Sequence, residues 1–201
     1  RSDRVFIQKG EPLRIDTIVT DLDGKAISGR RVTMRAVRVE WVQRGGEWEE
    51  EETDPQQRDI VSTGEPVRST FETKEGGQYK VRAIVVDDRD RQNMSEMTIW
   101  VAGGKLPPKR NVEQETVTLV PDKKEYRAGD TAEILVISPF APAEGLLTLR
   151  RSGIISTERL ALRESSQIVK VKIEEAYTPN LYVQVDLAGA APRAWRGSLP
   201  P

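Results

Sequence analysis

Two stretches of this chain alternate apolar and polar residues with a period of two. Val169, Val171 and Ile173 are interleaved with Lys170 and Lys172, and Leu181, Val183, Val185 and Leu187 with Tyr182, Gln184 and Asp186. Side chains on an extended strand point to opposite faces in turn, so this spacing describes strands buried on one side only. Leu13 to Thr20 and Gln78 to Val86 read the same way: Tyr79, Val81, Ala83 and Val85 share a face opposite Lys80 and Arg82. No stretch sustains the three-and-four spacing of an amphipathic helix, which argues against parallel α/β folds. The pattern therefore predicts an all-β protein.

Turn residues divide the strands. Asp21-Leu22-Asp23-Gly24, Gly76-Gly77 and Asp87 to Asn93 punctuate the first half, and Asp122 to Glu125 and Ala128-Gly129-Asp130 the second. Between them each half offers about seven short strands, the pattern of a two-sheet antiparallel sandwich. The expected organisation is a sandwich over 1–103, a linker over 104–114 with two prolines, a second sandwich over 115–189, and a flexible tail over 190–201. Both sandwiches are expected to be seven-stranded and antiparallel, in the immunoglobulin or fibronectin-III manner.

Individual strands carry further expectations. In Arg31 to Val42 the apolar residues change face: Val32, Met34 and Ala36 first, then Val37, Val39 and Trp41, which predicts a bulge or bend near Ala36. Thr131 to Ser138 is apolar on both faces, so it is either central or covered on its second face by a neighbouring domain. Pro139 should end it. Tyr79, just after a glycine turn, fits a tyrosine corner whose hydroxyl bonds backbone. Trp100 points outward beside the linker and is expected to make an interdomain contact.

The chemistry is constrained mainly by what is missing. The chain has neither cysteine nor histidine, which removes disulfides, thiolate and imidazole metal sites, cysteine nucleophiles and Ser-His-Asp triads. No cofactor is expected, and the chain does not read as an enzyme. A net charge of −1, with basic and acidic residues interspersed, offers no field for nucleic acid or an anionic membrane. No apolar run approaches the ~18 residues of a membrane helix. Opening on Arg1 without a signal sequence, the chain reads as an excised piece of something larger.

The run Gln43 to Arg58 holds Glu47, Glu49, Glu50, Glu51, Glu52, Asp54 and Pro55. Clustered carboxylates suggest calcium, but consecutive glutamates on an extended chain diverge and lack the spacing of a helix-loop calcium site. A solvated hairpin tip or mobile loop is the expected form, with Trp48 packing within it. Ala188 to Pro201 is rich in small residues and proline. Arg193 and Arg196 in it are possible points of cleavage by trypsin-like proteases.

Five stretches together resemble the bacterial alpha-2-macroglobulin family. They are TDLDGKAISGRRVTMRAVRVEW (20–41), GGQYKVRAIVVDDRDRQNMSEMTIWVAGG (76–104), VTLVPDKKEYRAGDTAEILVISPF (117–140), LLTLRRSGI (146–154) and EEAYTPNLYVQVDL (174–187). The resemblance implies two macroglobulin-like sandwiches within a large protease trap, in the periplasm or cell envelope. In such a trap a protease cuts an exposed bait segment and is then enclosed. The implied partners are other macroglobulin-like domains of the same parent chain and the target proteases. The family's Cys-x-Glu-Gln thioester has no counterpart here, because there is no cysteine. The tail with Arg193 and Arg196 is either the start of the bait segment or an ordinary interdomain linker, the commoner fate of such tails. Another class of function is a tandem adhesion or carbohydrate-binding module, with Trp41, Trp48, Trp100 and Trp195 stacking on sugars.

Overall fold

A computed structural model describes residues 1–2, 4–45, 47–103 and 116–189, apart from the side chains of Gln43 and Trp48. In the first half the strands are β1 (Phe6–Gln8), β2 (Leu13–Thr17), β3 (Arg31–Arg44), β4 (Glu47–Val61), β5 (Val67–Phe71), β6 (Gly77–Val86) and β7 (Gln92–Ala102). In the second they are β8 (Thr118–Pro121), β9 (Thr131–Ile137), β10 (Ala143–Arg150), β11 (Ile154–Leu162), β12 (Ser166–Lys172) and β13 (Tyr182–Gly189). A single 3₁₀ turn, Glu175–Tyr177, is the one helical element among the described residues. The protein is all-β, as the alternation requires.

The first half stacks a five-stranded sheet, ordered β1-β7-β6-β3-β4, against the pair β2-β5. Their facing residues form one core of Leu13, Ile15, Val32, Met34, Ala36, Phe71, Tyr79, Val81, Ile99 and Val101, with Ile7. The second half stacks β11-β10-β13 against β12-β9-β8. Its core includes Ala132, Ile134, Val136, Leu147, Leu149, Leu160, Leu162, Val169 and Val171. Pro121 sits in β8, an edge strand, where its missing N–H costs no ladder bond. β9 ends at Ile137, two residues before Pro139.

Three details differ from the sequence reading. First, β1 runs parallel to β7, with Phe6 opposite Trp100, so the first sandwich is not wholly antiparallel. A three-residue edge strand reaches β7 from the far side of the core and needs no hairpin partner. Second, the second half shows six strands among its described residues rather than seven. The pieces expected at 154–157 and 159–162 are one strand, β11, paired along β10. Third, of the two forms expected for Gln43 to Arg58 the structure shows the hairpin and not the mobile loop, and its strands are longer than a tip requires. Glu47 onward is β4, paired to β3 from Arg44↔Glu47 to Arg31↔Val61, with the reversal confined to the residues around Gly45 (φ +60°). Charge density misled here, because a glutamate-rich strand looks like a loop until its cross-strand partners are known.

The phase change in β3 has a definite cause. Between Ala36 and Arg38 the β3–β4 register slips, one residue on β3, Val37, lying opposite two on β4, Asp54 and Pro55. The β3–β6 register runs through unbroken, Val37 opposite Lys80. The extra residue therefore lies on β4, at Asp54–Pro55, where Asp54 has φ +49°. β3 does not change face. Beyond Ala36 both its faces are covered: Val37 and Val39 are buried along with Met34 and Ala36. Val39 is in register with Gln78, Gln78 with Trp100, and Trp100 with Phe6, so all four share the outer face of the sheet.

Gly145 in β10 is required by the close approach of β13. A Cβ built there would lie 1.9 Å from the carbonyl oxygen of Asp186. Gly145→Ala is expected to destabilise the chain by about 1–3 kcal/mol, the usual range for overpacking. Gly64→Ala, with nothing within 4 Å of the added methyl group, should have little effect. Urea midpoints of the two variants at unchanged m-value check this.

Candidate functional site

The carboxylates of β4 suggested calcium to the sequence reading, which set that aside for want of the right spacing. The structure places them on an edge strand and matches them with cations. Glu50 pairs with Lys80, Glu51 with Arg44 (3.3 Å), Glu52 with Arg35 (2.9 Å) and with Arg82, and Asp54 with Arg38 (3.0 Å). Arg82 continues the row to Glu96 at 2.6 Å. Hydrogen bonding from Arg82 holds the Glu52 carboxyl below its ordinary range, and the same pairing raises the Arg82 guanidinium. The row is a ladder of alternating charge across β4, β3, β6 and β7. Among the described residues no group of three or more acidic side chains converges as a metal site would require.

The tryptophans divide. Trp100 is half-buried in the contact between the two halves, its indole N–H 3.4 Å from Ser166 Oγ. Trp41 is half-buried on β3, with its indole nitrogen out of solvent. The Trp48 side chain and Trp195 lie outside the described residues. So do the linker expected at 104–114 and the tail at 190–201, with Arg193 and Arg196.

What the structure does describe is the strand that ends at Gly189. The last strand, β13, pairs with β10 from Tyr182↔Arg150 to Gly189↔Ala143. Ala143 is buried, and a Cβ on Gly189 would meet the Phe140 ring and the Pro142 carbonyl at 2.7 Å. The chain is thus held against its neighbour up to the last described residue. The sequence reading ended the last strand at Leu187, two residues short of the pairing at Gly189. The only signal was the unbroken alternation through Leu187.

The turn before β9 supports the same sandwich. Asp122 Oδ1 accepts hydrogen bonds from the Tyr126 hydroxyl (2.7 Å) and from the Glu133 amide (2.9 Å). The Lys123 amide donates to the Tyr126 hydroxyl at 3.1 Å. Gly129, at φ +93°, donates its N–H to the Ile173 carbonyl, and the Ile173 amide returns to Asp130. The Tyr-x-x-Gly-Asp sequence is therefore a clasp tying the β8–β9 connection to the end of β12. Burial, with the Asp122 hydrogen bond second, pushes the Tyr126 hydroxyl up to about 12. Tyr79 serves the first half alike: its hydroxyl donates to the Glu75 carbonyl at 2.9 Å, the corner expected from sequence. Burial raises its pKa too.

Residues 117–199 match the alpha-2-macroglobulin bait region domain, a span that begins at β8 and runs past β13. Over 186 residues, 89% of the chain, the sequence is 25% identical to an alpha-2-macroglobulin homolog of Nostoc sp.. Over most of its length the chain is thus similar to alpha-2-macroglobulins, as its five motifs indicated. It spans 10% of the length of that curated relative. Two solved structures are also similar, at 17% identity over 90% of the chain: native E. coli alpha-2-macroglobulin, of which 13% is covered, with a TM-score of 0.30, and a Salmonella alpha-2-macroglobulin mutant, of which 12% is covered, with a TM-score of 0.31.

The clasp yields a pH test. A phenol whose folded pKa exceeds its unfolded value stabilises the fold fully below the unfolded value of 10 and loses that contribution as pH rises through about 12. One of the chain's four tyrosines should therefore ionise near 12. In Asp122→Ala that titration should move down, though not the whole way to 10, because burial is the larger cause. Phenolate absorbance against pH, compared with Tyr126→Phe, identifies the group.

Proposed function

We propose that this chain is part of the frame of an alpha-2-macroglobulin-like broad-spectrum protease inhibitor, one that traps its protease after cleavage of a bait segment. The observation that carries this reading is the bait region match over 117–199, which takes in both Arg193 and Arg196. On this reading residues 190–201 lead into the cleavable segment, and the second sandwich holds the root of that segment in place. The anchoring of β13 up to Gly189 supports a division of labour. A cut beyond residue 189 would free a chain end without touching the ladder that ends there.

The chain does no chemistry of its own in this proposal, and it takes no cofactor. The acidic side chains Glu50, Glu51, Glu52 and Asp54 of β4 pair with cations. The chain's partners are other macroglobulin-like domains of the same parent chain and, through the whole protein, target proteases. It contacts neither nucleic acid nor membrane. The expected location is the periplasm or cell envelope.

Limited trypsinolysis tests the reading. The first cut after Arg193 or Arg196 should precede any cut between residues 4 and 103 or 116 and 189, leaving both sandwiches intact by mass spectrometry. The double variant Arg193→Gln, Arg196→Gln should lose that early fragment. A first cut in the β3–β4 hairpin, with the tail whole, would overturn it.

A further inference from the structure

The two halves meet through a contact that neither sandwich needs for its own core. Phe6 of β1 and Ala102 of β7 pack on Leu135 and Ile137 of β9, with Trp100, Val120 and Ile168 around them. Phe6 is 1% exposed and Leu135 0%, so this patch is closed to water. Leu135 and Ile137 point away from the second sandwich's core residues Ile134 and Val136 on the same strand. This is why β9 reads as apolar on both faces.

A polar latch sits beside the apolar patch. Ser166, first residue of β12 and 4% exposed, uses its hydroxyl oxygen to accept a hydrogen bond from the Gly103 amide at 2.8 Å. The same oxygen lies 3.4 Å from the Trp100 indole nitrogen. Gly103 has φ +91°, which turns its amide to reach across. On the opposite side of the patch Arg4 pairs with Glu133, which Lys170 also holds at 3.1 Å. The contact therefore has a dry centre and a directional bond at each flank, a form that fixes orientation as well as distance.

We infer that this joint locks the two sandwiches into one rigid body, so that the linker between them does not act as a hinge. The mechanical consequence rests on the function proposed above: a displacement at the end of β13 would be carried to the first sandwich through β10, the second core, β9 and Phe6. The rigidity itself does not depend on that reading, and it is measured without a protease.

The cysteine-free chain suits spin labelling at introduced cysteines. Thr70→Cys in the first half and Thr157→Cys in the second are both exposed sites. Double electron–electron resonance on the 201-residue chain should give one narrow distance distribution. Adding Trp100→Ala with Ser166→Ala should broaden it roughly two-fold or more, because relative motion is the default for domains without a firm interface. Label pairs Thr70→Cys with Gln92→Cys, and Thr131→Cys with Thr157→Cys, should keep their distances in that background and so show each sandwich intact. If they do not, Ser166→Ala alone, which removes only a hydroxyl, takes its place with the same expected broadening. A broad distribution in the unaltered joint overturns the inference. So does a joint variant with intact sandwiches whose distribution stays as narrow as the original.

Discussion

Each strand here hides one row of side chains against an opposing sheet. That packing fixes which residues are apolar, where turns fall and which strands must be central. Fully burying a large aliphatic or aromatic side chain stabilises by about 1.5–3 kcal/mol. Leu13, Phe71, Tyr79 and Val101 in the first half, and Val136 and Leu162 in the second, are almost entirely out of water. Burial also forces the polar solutions. The Tyr79 hydroxyl must find the Glu75 carbonyl, and Asp122 must satisfy both Tyr126 and the Glu133 amide, because a buried polar group without a partner costs about 1–3 kcal/mol.

Surface charge plays a different part. The ladder joining Glu52, Arg82 and Glu96 is partly exposed, and such pairs contribute roughly 0–1 kcal/mol each. Its effect is on register and edge protection. Through Asp54–Pro55 and its acidic run, β4 presents a bulged, proline-bearing, charged border that discourages pairing with another chain. A run that resembles a cation site in one dimension is thereby a guarded sheet edge in three.

The second sandwich has two obligations that meet on β9. One face completes its own core, and the other closes the joint with Phe6 and Ala102. At the other end of the same sandwich, β13 stays paired to Gly189. In the function proposed above, such a domain would hold its shape while a segment beyond Gly189 is cut. The likeness of residues 117–199 to the alpha-2-macroglobulin bait region domain is what connects that geometry to the function proposed above.

Much of this was legible in one dimension, because period-two alternation is a local property: a half-buried strand such as β12 declares its inner face residue by residue. The strands Gln78 to Val86 and Gln167 to Ile173, the Tyr79 corner and the outward Trp100 all follow from it. The five family motifs are likewise a matter of residue order alone. Tertiary structure alone decided whatever depended on distant partners. Glu50 and Glu52 became ladder members only because Lys80 and Arg82 lie beside them, some thirty residues on. β1 became parallel because the nearest free edge was that of β7. Val37, apolar on what looked like the wrong face, was explained only by its burial in the structure, and Leu135, already read as central or covered by a neighbouring domain, was given its partner, Phe6. Alternation specifies which side of a strand avoids water, but not what stands on the other side, since that depends on contacts between residues far apart in the chain.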